Sequence, residues 1–253
     1  MKVFVVANQK GGIGKTTTAT NLAGILGKKA KTLLIDADPQ GNSTSTYQAK
    51  IEDVATLYDV IIDSDKLPIT EAIQHMPNGD IVASDPLLAK AEKILDGDVE
   101  GFYRLKDALD ELAGYEYVVI DTAPSLNVIL YNSLIAADEV IIPVTADSYA
   151  MQGIEQLYNT IMAVKRRQNP GLNVAGLLLV KYSGRSNLER NTREAIADQA
   201  KAMGTKLFDT TIRECVKTKE AQEQKKLLID YAPKCNTCLD YLDMTKELLR
   251  KKR

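Results

Sequence analysis

The sequence is poor in the side chains that usually hold a metal. Its 253 residues include one histidine, His75, and three cysteines, Cys215, Cys235 and Cys238. Cys235-x-x-Cys238 has the spacing of half a zinc site or a dithiol. Four zinc ligands cannot be gathered from that tail without Cys215 or a second subunit. The pair therefore reads as packing at a helix start, and His75, in a helix or at its end, as structural. No apolar run reaches the roughly 20 residues that cross a bilayer, so no integral membrane segment is expected. The opening apolar run, Val3 to Ala7, is too short for a secretory signal, and the protein reads as cytoplasmic. No internal repeat or low-complexity linker suggests a second domain. A basic excess is missing too: 32 Lys and Arg face 34 Asp and Glu, a net charge of −2, which read alone argues against a nucleic-acid partner.

What is present begins directly after that apolar run. Residues 8–17 read Asn-Gln-Lys-Gly-Gly-Ile-Gly-Lys-Thr-Thr. The usual phosphate loop is G-x-x-x-x-G-K-[ST], between a strand and a helix. Here Gln9 stands where the first glycine usually does. Gly11, Gly12, Ile13 and Gly14 make a turn whose N–H groups can surround phosphate oxygens. The helix that starts near Thr16 and Thr17 points its positive end at the same anion. Lys15 is expected on the β- and γ-phosphates and the Thr16 hydroxyl on Mg²⁺. A second lysine, Lys10, opens the loop. Its stem is long enough to leave its own site and place charge on a nucleotide held by a facing subunit; a plain surface lysine is the alternative.

Two further strands end in acids. Lys31 to Ile35 leads into Asp36-Ala37-Asp38-Pro39-Gln40-Gly41-Asn42, a corner built with Pro and Gly. Asp38 is placed to orient an attacking water, and Asp36 to support Mg²⁺ through water or the loop. Tyr117 to Ile120 leads into Asp121-Thr122-Ala123-Pro124-Ser125, where Asp121 is expected in the water shell of Mg²⁺. Mg²⁺ keeps most of its waters and leans on phosphates, so no protein metal cage is needed. The Ser- and Thr-rich stretch 42–50 reads as a mobile loop beside the γ-phosphate.

With 45% apolar residues, the chain has ample material for one core. Strands are predicted near 2–7, 31–36, 79–83, 116–121, 139–143, 173–181 and 205–208. Helices are predicted within 15–29, 52–62, 86–95, 99–113, 126–136, 147–168, 187–203 and 235–250. The alternation predicts an α/β fold, a mostly parallel sheet with helices on both faces. One ATPase domain over 1–253 is expected.

These segments resemble the ParA/Soj partition ATPases, within the deviant Walker A group of P-loop NTPases that also holds MinD. The resemblance rests on Lys10 to Thr17, Asp36 to Asn42 and Asp121 to Leu126. It continues through Ala136-Ala137-Asp138 to Pro143, Tyr149 to Leu157 with Gly153, and Glu220-Ala221, in order along nearly the whole chain. It implies an ATP sandwich homodimer in which Lys10 crosses to the partner's nucleotide and Asp38 is needed for hydrolysis. It further implies ATP and Mg²⁺ as cofactors, weak intrinsic turnover, and non-specific DNA binding by the ATP-bound dimer. A ParB-like centromere-binding protein would stimulate hydrolysis, and the outcome would be plasmid or chromosome segregation on the nucleoid. The chain departs from many relatives at Ile212-Arg213-Glu214, where they carry Ile-Pro-Arg, and in the tail from Pro233 to Cys238.

Charge is unevenly spread. Residues 1–160 carry 12 basic and 23 acidic side chains, and residues 161–253 carry 20 and 11. The second part can form a positive face on a mildly acidic protein. Its candidates for DNA are Lys181, Arg185, Arg213, Lys217 and Lys219, with Arg190, Arg193, Lys225 and Lys226 nearby. In relatives an arginine matching Arg185 belongs to the DNA-contacting surface. Lys165, Arg166 and Arg167 close a long helix, where cations suit the dipole.

Two other readings compete. A MinD-type membrane-positioning ATPase needs a basic amphipathic helix; Leu239, Leu242 and Leu249 precede Arg250 to Arg253, but Asp240, Asp243 and Glu247 interrupt the basic face. A protein-only switch that binds ATP without needing DNA is the other. An iron–sulfur reductase of the nitrogenase type is excluded, because no cysteine precedes Cys215.

Overall fold

The computed structural model describes residues 1–62, 67–95, 98–147 and 150–250. Seven strands form one sheet: β1 (Lys2–Val6), β2 (Thr32–Ala37), β3 (Ile73–Met76), β4 (Gly79–Val82), β5 (Tyr117–Thr122), β6 (Glu139–Val144) and β7 (Asn173–Leu179). Their order is β3-β4-β2-β5-β1-β6-β7. Every pair is parallel except the β3–β4 hairpin. The central strands β1, β2, β5 and β6 are mostly apolar because both faces are covered. Successive side chains of β1 alternate between two cores: Val3 and Val5 face one, Phe4 and Val6 the other. The same alternation separates Leu33 and Ile35 from Leu34, and Val118 and Ile120 from Val119.

The helices are α1 (Lys15–Gly27), α2 (Asn42–Tyr47), α3 (Leu57–Ile62), α4 (Ile69–Ala72), α5 (Ala91–Ile94), α6 (Arg104–Asp110), α7 (Val128–Ala136), α8 (Ala150–Arg167), α9 (Asn187–Ala202), α10 (Val216–Glu223), α11 (Leu228–Tyr231) and α12 (Asn236–Leu249). On one face, Leu109, Leu134, Ile161 and Ile196 bring α6, α7, α8 and α9 into a single core. On the other, Leu22 and Leu26 of α1 meet Tyr241, Met244 and Leu248 of α12. The last helix is thus packed on the sheet domain. The Thr18 and Tyr241 hydroxyls meet in this layer at 3.1 Å, and both are buried.

Several expectations need correction. Residues 205–208 form no strand; that segment touches β7 through one isolated bridge, Leu177 to Leu207, and a second bridge joins Val180 to Ile212 beyond both segments. Just past residue 208, the Glu247 carboxylate accepts the N–H groups of Asp209 and Thr210 at 3.0 Å each. His75 lies on β3 and not on a helix, paired with Asp80 at 2.7 Å. Residues 42–50 are not a loose loop: Asn42–Tyr47 is helical, with Ser43, Thr44 and Tyr47 buried. The helix expected over 52–62 starts only at Leu57, after Asp53 takes a left-handed backbone with φ 56°. The stretches 86–95 and 99–113 each break into a 3-10 turn, Pro86–Lys90 and Glu100–Phe102, followed by a short helix. Tyr149, and Lys251 to Arg253 of the basic tail, lie outside the described residues.

β1 is the place where the sheet order reverses, with β5 on one side and β6 on the other. Ligands of open α/β sheets bind beyond the strand carboxyl ends at such a point.

Candidate functional site

The turn after β1 opens at this edge. Asn8 anchors its start: Nδ2 donates to the Pro143 carbonyl at 2.7 Å, and Oδ1 accepts the Lys10 N–H at 3.0 Å. Gly12 and Gly14 have φ of 70° and 96°, a left-handed backbone that residues with a Cβ rarely adopt. Gly14 is the residue before α1, and its carbonyl accepts the Thr18 N–H at 2.9 Å. The free N–H groups of the first turn of α1 therefore face the concavity. Lys15 is only 6% exposed, and its Nζ donates to the Lys10 carbonyl at 3.1 Å, folding the side chain back over the turn. Burial lowers its pKa, and the nearby Asp121 and Asp38 carboxylates work against that. An incoming phosphate would reward the same charge.

The acids converge here because of strand register. β2 and β5 pair so that Asp36 stands opposite Asp121, while Asp121 is also opposite Val6. Asp36 is fully committed inside the protein: one oxygen accepts the Thr44 N–H and hydroxyl at 2.7 and 2.8 Å, the other the Asp38 N–H at 3.2 Å. Both of its oxygens support the corner from within the protein. Thr44 in turn accepts the Ser84 N–H at 2.8 Å, and the Ser84 hydroxyl donates to the Asp38 carbonyl at 2.6 Å. These two residues, absent from the sequence-derived site, fix where Asp38 stands. Asp38 is 7% exposed and lines the cleft.

Asp121 is different. Its Oδ2 accepts the Ser43 hydroxyl at 2.9 Å, while its buried Oδ1 has no hydrogen-bond partner within normal geometry. Burial pushes the carboxyl up and the Asp36 charge adds to it; the Thr16 and Ser43 hydroxyls oppose that. Asp36 is likewise pushed up by burial, against its bonds to Thr44 and Asp38. The buried carboxylates of Asp36 and Asp121 thus present one bare oxygen with the Thr16 hydroxyl beside it. Hard oxygen donors of this kind fit a hydrated Mg²⁺ brought in with a nucleotide.

The cleft in front has a volume of 560 Å³ and is lined by Gly11, Gly12, Ile13, Gly14, Lys15, Thr16 and Thr17 on one side. Arg213, Glu214, Cys215, Thr218, Lys219 and Gln222 line the other. That volume suits a nucleotide. Gln222 ties the two sides together, its Nε2 donating to the Thr17 hydroxyl at 3.1 Å. Residues 1–174 match the family model described as an AAA domain. The whole of this chain aligns with 96% of the chromosome partitioning protein ParA of Caulobacter vibrioides, 37% identical over 261 residues.

The chain belongs to the ParA/Soj family.

Solved structures agree. The ATP complex of Cyanothece McdA superposes with a TM-score of 0.87 at 27% identity, covering 100% of this chain and 98% of that one. A Mycobacterium smegmatis protein described as cobyrinic acid a,c-diamide synthase, with bound ATP analogue and magnesium, gives 0.85 at 28% identity, covering 99% and 95%.

Within the ParA/Soj frame, the expected basic residues take different places. Arg213 is held by Asp240, through its own N–H and Nε at 2.9 Å each and Nη2 at 2.6 Å. Lys217 pairs with Glu220 at 2.8 Å and Lys219 reaches Glu214 at 3.7 Å. Lys181 turns toward the phosphate turn and donates to the Gly12 carbonyl at 2.8 Å. Arg185 lies exposed ahead of α9, whose capping box joins Ser186 and Glu189. Lys10 reaches Asp147 of its own chain. Cys238 is buried against Ala221 and Leu228, and Cys235 stands just ahead of α12. Among the described residues, no helix is long and apolar enough to cross a membrane.

Proposed function

We infer that residues 1–253 act as one ATPase domain that hydrolyses ATP to ADP and phosphate, and that its ATP-bound homodimer binds DNA without regard to sequence to segregate a plasmid or chromosome region. The carrying observation is the convergence of the glycine turn, buried Lys15, Asp38 and the bare Asp121 oxygen on one cleft. Only a phosphate-bearing substrate uses all four.

Each side chain has a separate task. The turn's N–H groups and Lys15 hold the phosphates. Thr16 and Asp121 would hold Mg²⁺, which would supply positive charge beside the phosphates. Asp38, fixed through Ser84, orients the water for in-line attack. Lys10 crosses to the partner's nucleotide and ties triphosphate binding to dimer formation. Arg185 supplies a phosphate contact on the DNA face. A ParB-like protein stimulates turnover and releases the dimer from the nucleoid.

Titrating two unrelated duplexes, with ATP and with ADP, across a salt series tests this reading. Binding that requires ATP, ignores sequence and falls steeply with salt is expected. Absence of binding with both nucleotides would overturn it; binding to anionic vesicles in its place would favour membrane positioning. The burial of Tyr241, Met244 and Leu248 against α1 speaks for DNA, since it commits the main apolar face of α12 to the core and leaves Leu239 and Leu249 as its exposed apolar side chains.

A further inference from the structure

The loop after β7 sends one lysine back across the cleft. Lys181 has a left-handed backbone, φ 54°, which few residues with a Cβ adopt. From there its Nζ donates to the Gly12 carbonyl at 2.8 Å, across 169 residues of sequence. Both residues line the nucleotide cleft. The backbone on either side of Lys181 is pinned, with the Val180 N–H on the Val144 carbonyl at 2.8 Å and the Tyr182 N–H on the Ile212 carbonyl at 3.1 Å. The lysine is exposed, so its position serves no core packing.

The bond matters because of what lies on the other side of the peptide. A trans peptide is planar, and its C=O and N–H point in opposite directions. Holding the Gly12 oxygen on Lys181 therefore holds the Ile13 N–H turned away from Lys181. Gly12 brings no Cβ of its own to restrict this peptide, and nothing lies within 4 Å of where one would stand. If this peptide flipped, it would turn a carbonyl oxygen toward the phosphate. Lys15 performs the matching service for the Lys10–Gly11 peptide, through its bond to the Lys10 carbonyl. That bond must yield when Lys15 moves to a phosphate, whereas Lys181 reaches the turn from the separate loop after β7.

We propose that Lys181 is a positioning residue for the nucleotide: it locks the Gly12–Ile13 peptide with its N–H turned toward the phosphates, and so sets nucleotide affinity and not DNA affinity. The proposal rests on the reading of residues 10–17 as the phosphate site.

The test is titration of the intact protein with Mg·ADP, a ligand that calls on neither the ATP dimer nor DNA. Lys181→Met keeps the stem and removes the donor. Lys181→Gly also relieves the left-handed backbone. Both are expected to weaken Mg·ADP about tenfold, the size of one charge-assisted hydrogen bond, with the melting temperature of the nucleotide-free protein unchanged. Lys181→Arg is expected to restore most of the affinity, and at saturating ATP the Met variant should still bind DNA like the parent. Unchanged Mg·ADP affinity in Lys181→Met would overturn the proposal, most plainly if DNA binding fell instead. Lys15→Met serves as the companion: weakened binding there alone sinks the role of Lys181, while unchanged binding in both sinks the phosphate-site reading itself.

Discussion

Lys10 pairs with Asp147 of its own chain, and the Thr145 hydroxyl donates to the same carboxylate oxygen. A lysine proposed to reach a second subunit is thus parked at home. The two side chains are 42% and 38% exposed, so the pair is worth at most about 1 kcal/mol. A triphosphate carries more charge than one carboxylate and can draw Lys10 away. Asp147→Ala is therefore expected to lower the ATP concentration that half-saturates dimer formation by about three- to fivefold. Sedimentation velocity across an ATP series measures it. A higher ATP requirement would show that Asp147 assists the dimer.

Asp38→Ala should separate binding from chemistry. The residue stands at the cleft on a corner held by Ser84, so its removal leaves the phosphate turn intact. ATP affinity is expected to stay within a factor of about three, while turnover falls by about 100-fold or more. Single-turnover release of labelled phosphate decides the matter, and parental turnover would remove the water-orienting role.

Arg185→Ala addresses the DNA face. The Arg185 guanidinium has no hydrogen-bond or ion-pair partner among the described residues, in contrast to Arg213, Lys217 and Lys219, which all have acidic neighbours. It is the one of these that can meet a DNA phosphate without breaking an internal pair. Binding should weaken alike on unrelated duplexes, and the salt slope should fall by about one unit. An unaltered slope would move the interface elsewhere on the surface.

Glu247 gives stability a pH dependence. Burial pushes its carboxyl up, but the Lys206 ammonium and the N–H groups of Thr210 and Asp209 outweigh that and hold it below the usual carboxylate range. A carboxyl depressed in the folded state adds stability above its unfolded pKa and loses it as pH falls through the folded one. Glu247→Ala should cost about 2 kcal/mol at about pH 7, because two backbone donors lose their acceptor. The gap from the parent, read by urea unfolding, should close in acid. A gap independent of pH would mean that packing, not charge, carries the effect.

The sequence is most legible where local chemistry and function coincide. Gly12, Gly14 and Lys15 announce the turn by type and spacing, and the strands that end in Asp36 and Asp121 stand out as apolar runs. Side-chain partnership was not legible. Lys181 and Arg213 read as surface cations because nothing local reveals that Gly12 and Asp240 await them 169 and 27 residues away. Ser43, Thr44 and Ser84 lie in stretches whose composition suggests loops; burial of Thr44 against Asp36 makes the segment a helix. The β3 hairpin escaped because Ile73 to Met76 is four residues long and only partly buried, too little for a period to register.

The hydroxyl contact between Thr18 and Tyr241 spans 223 residues. Read along the time axis of synthesis, it means that the phosphate turn leaves the ribosome well before the helix that completes its floor. β1 must wait for β5 and β6, and α1 for α12, before the turn between them has a rigid floor. A nascent chain therefore carries its nucleotide signature long before it can grip a nucleotide, and competence arrives only when most of the fold exists to use it.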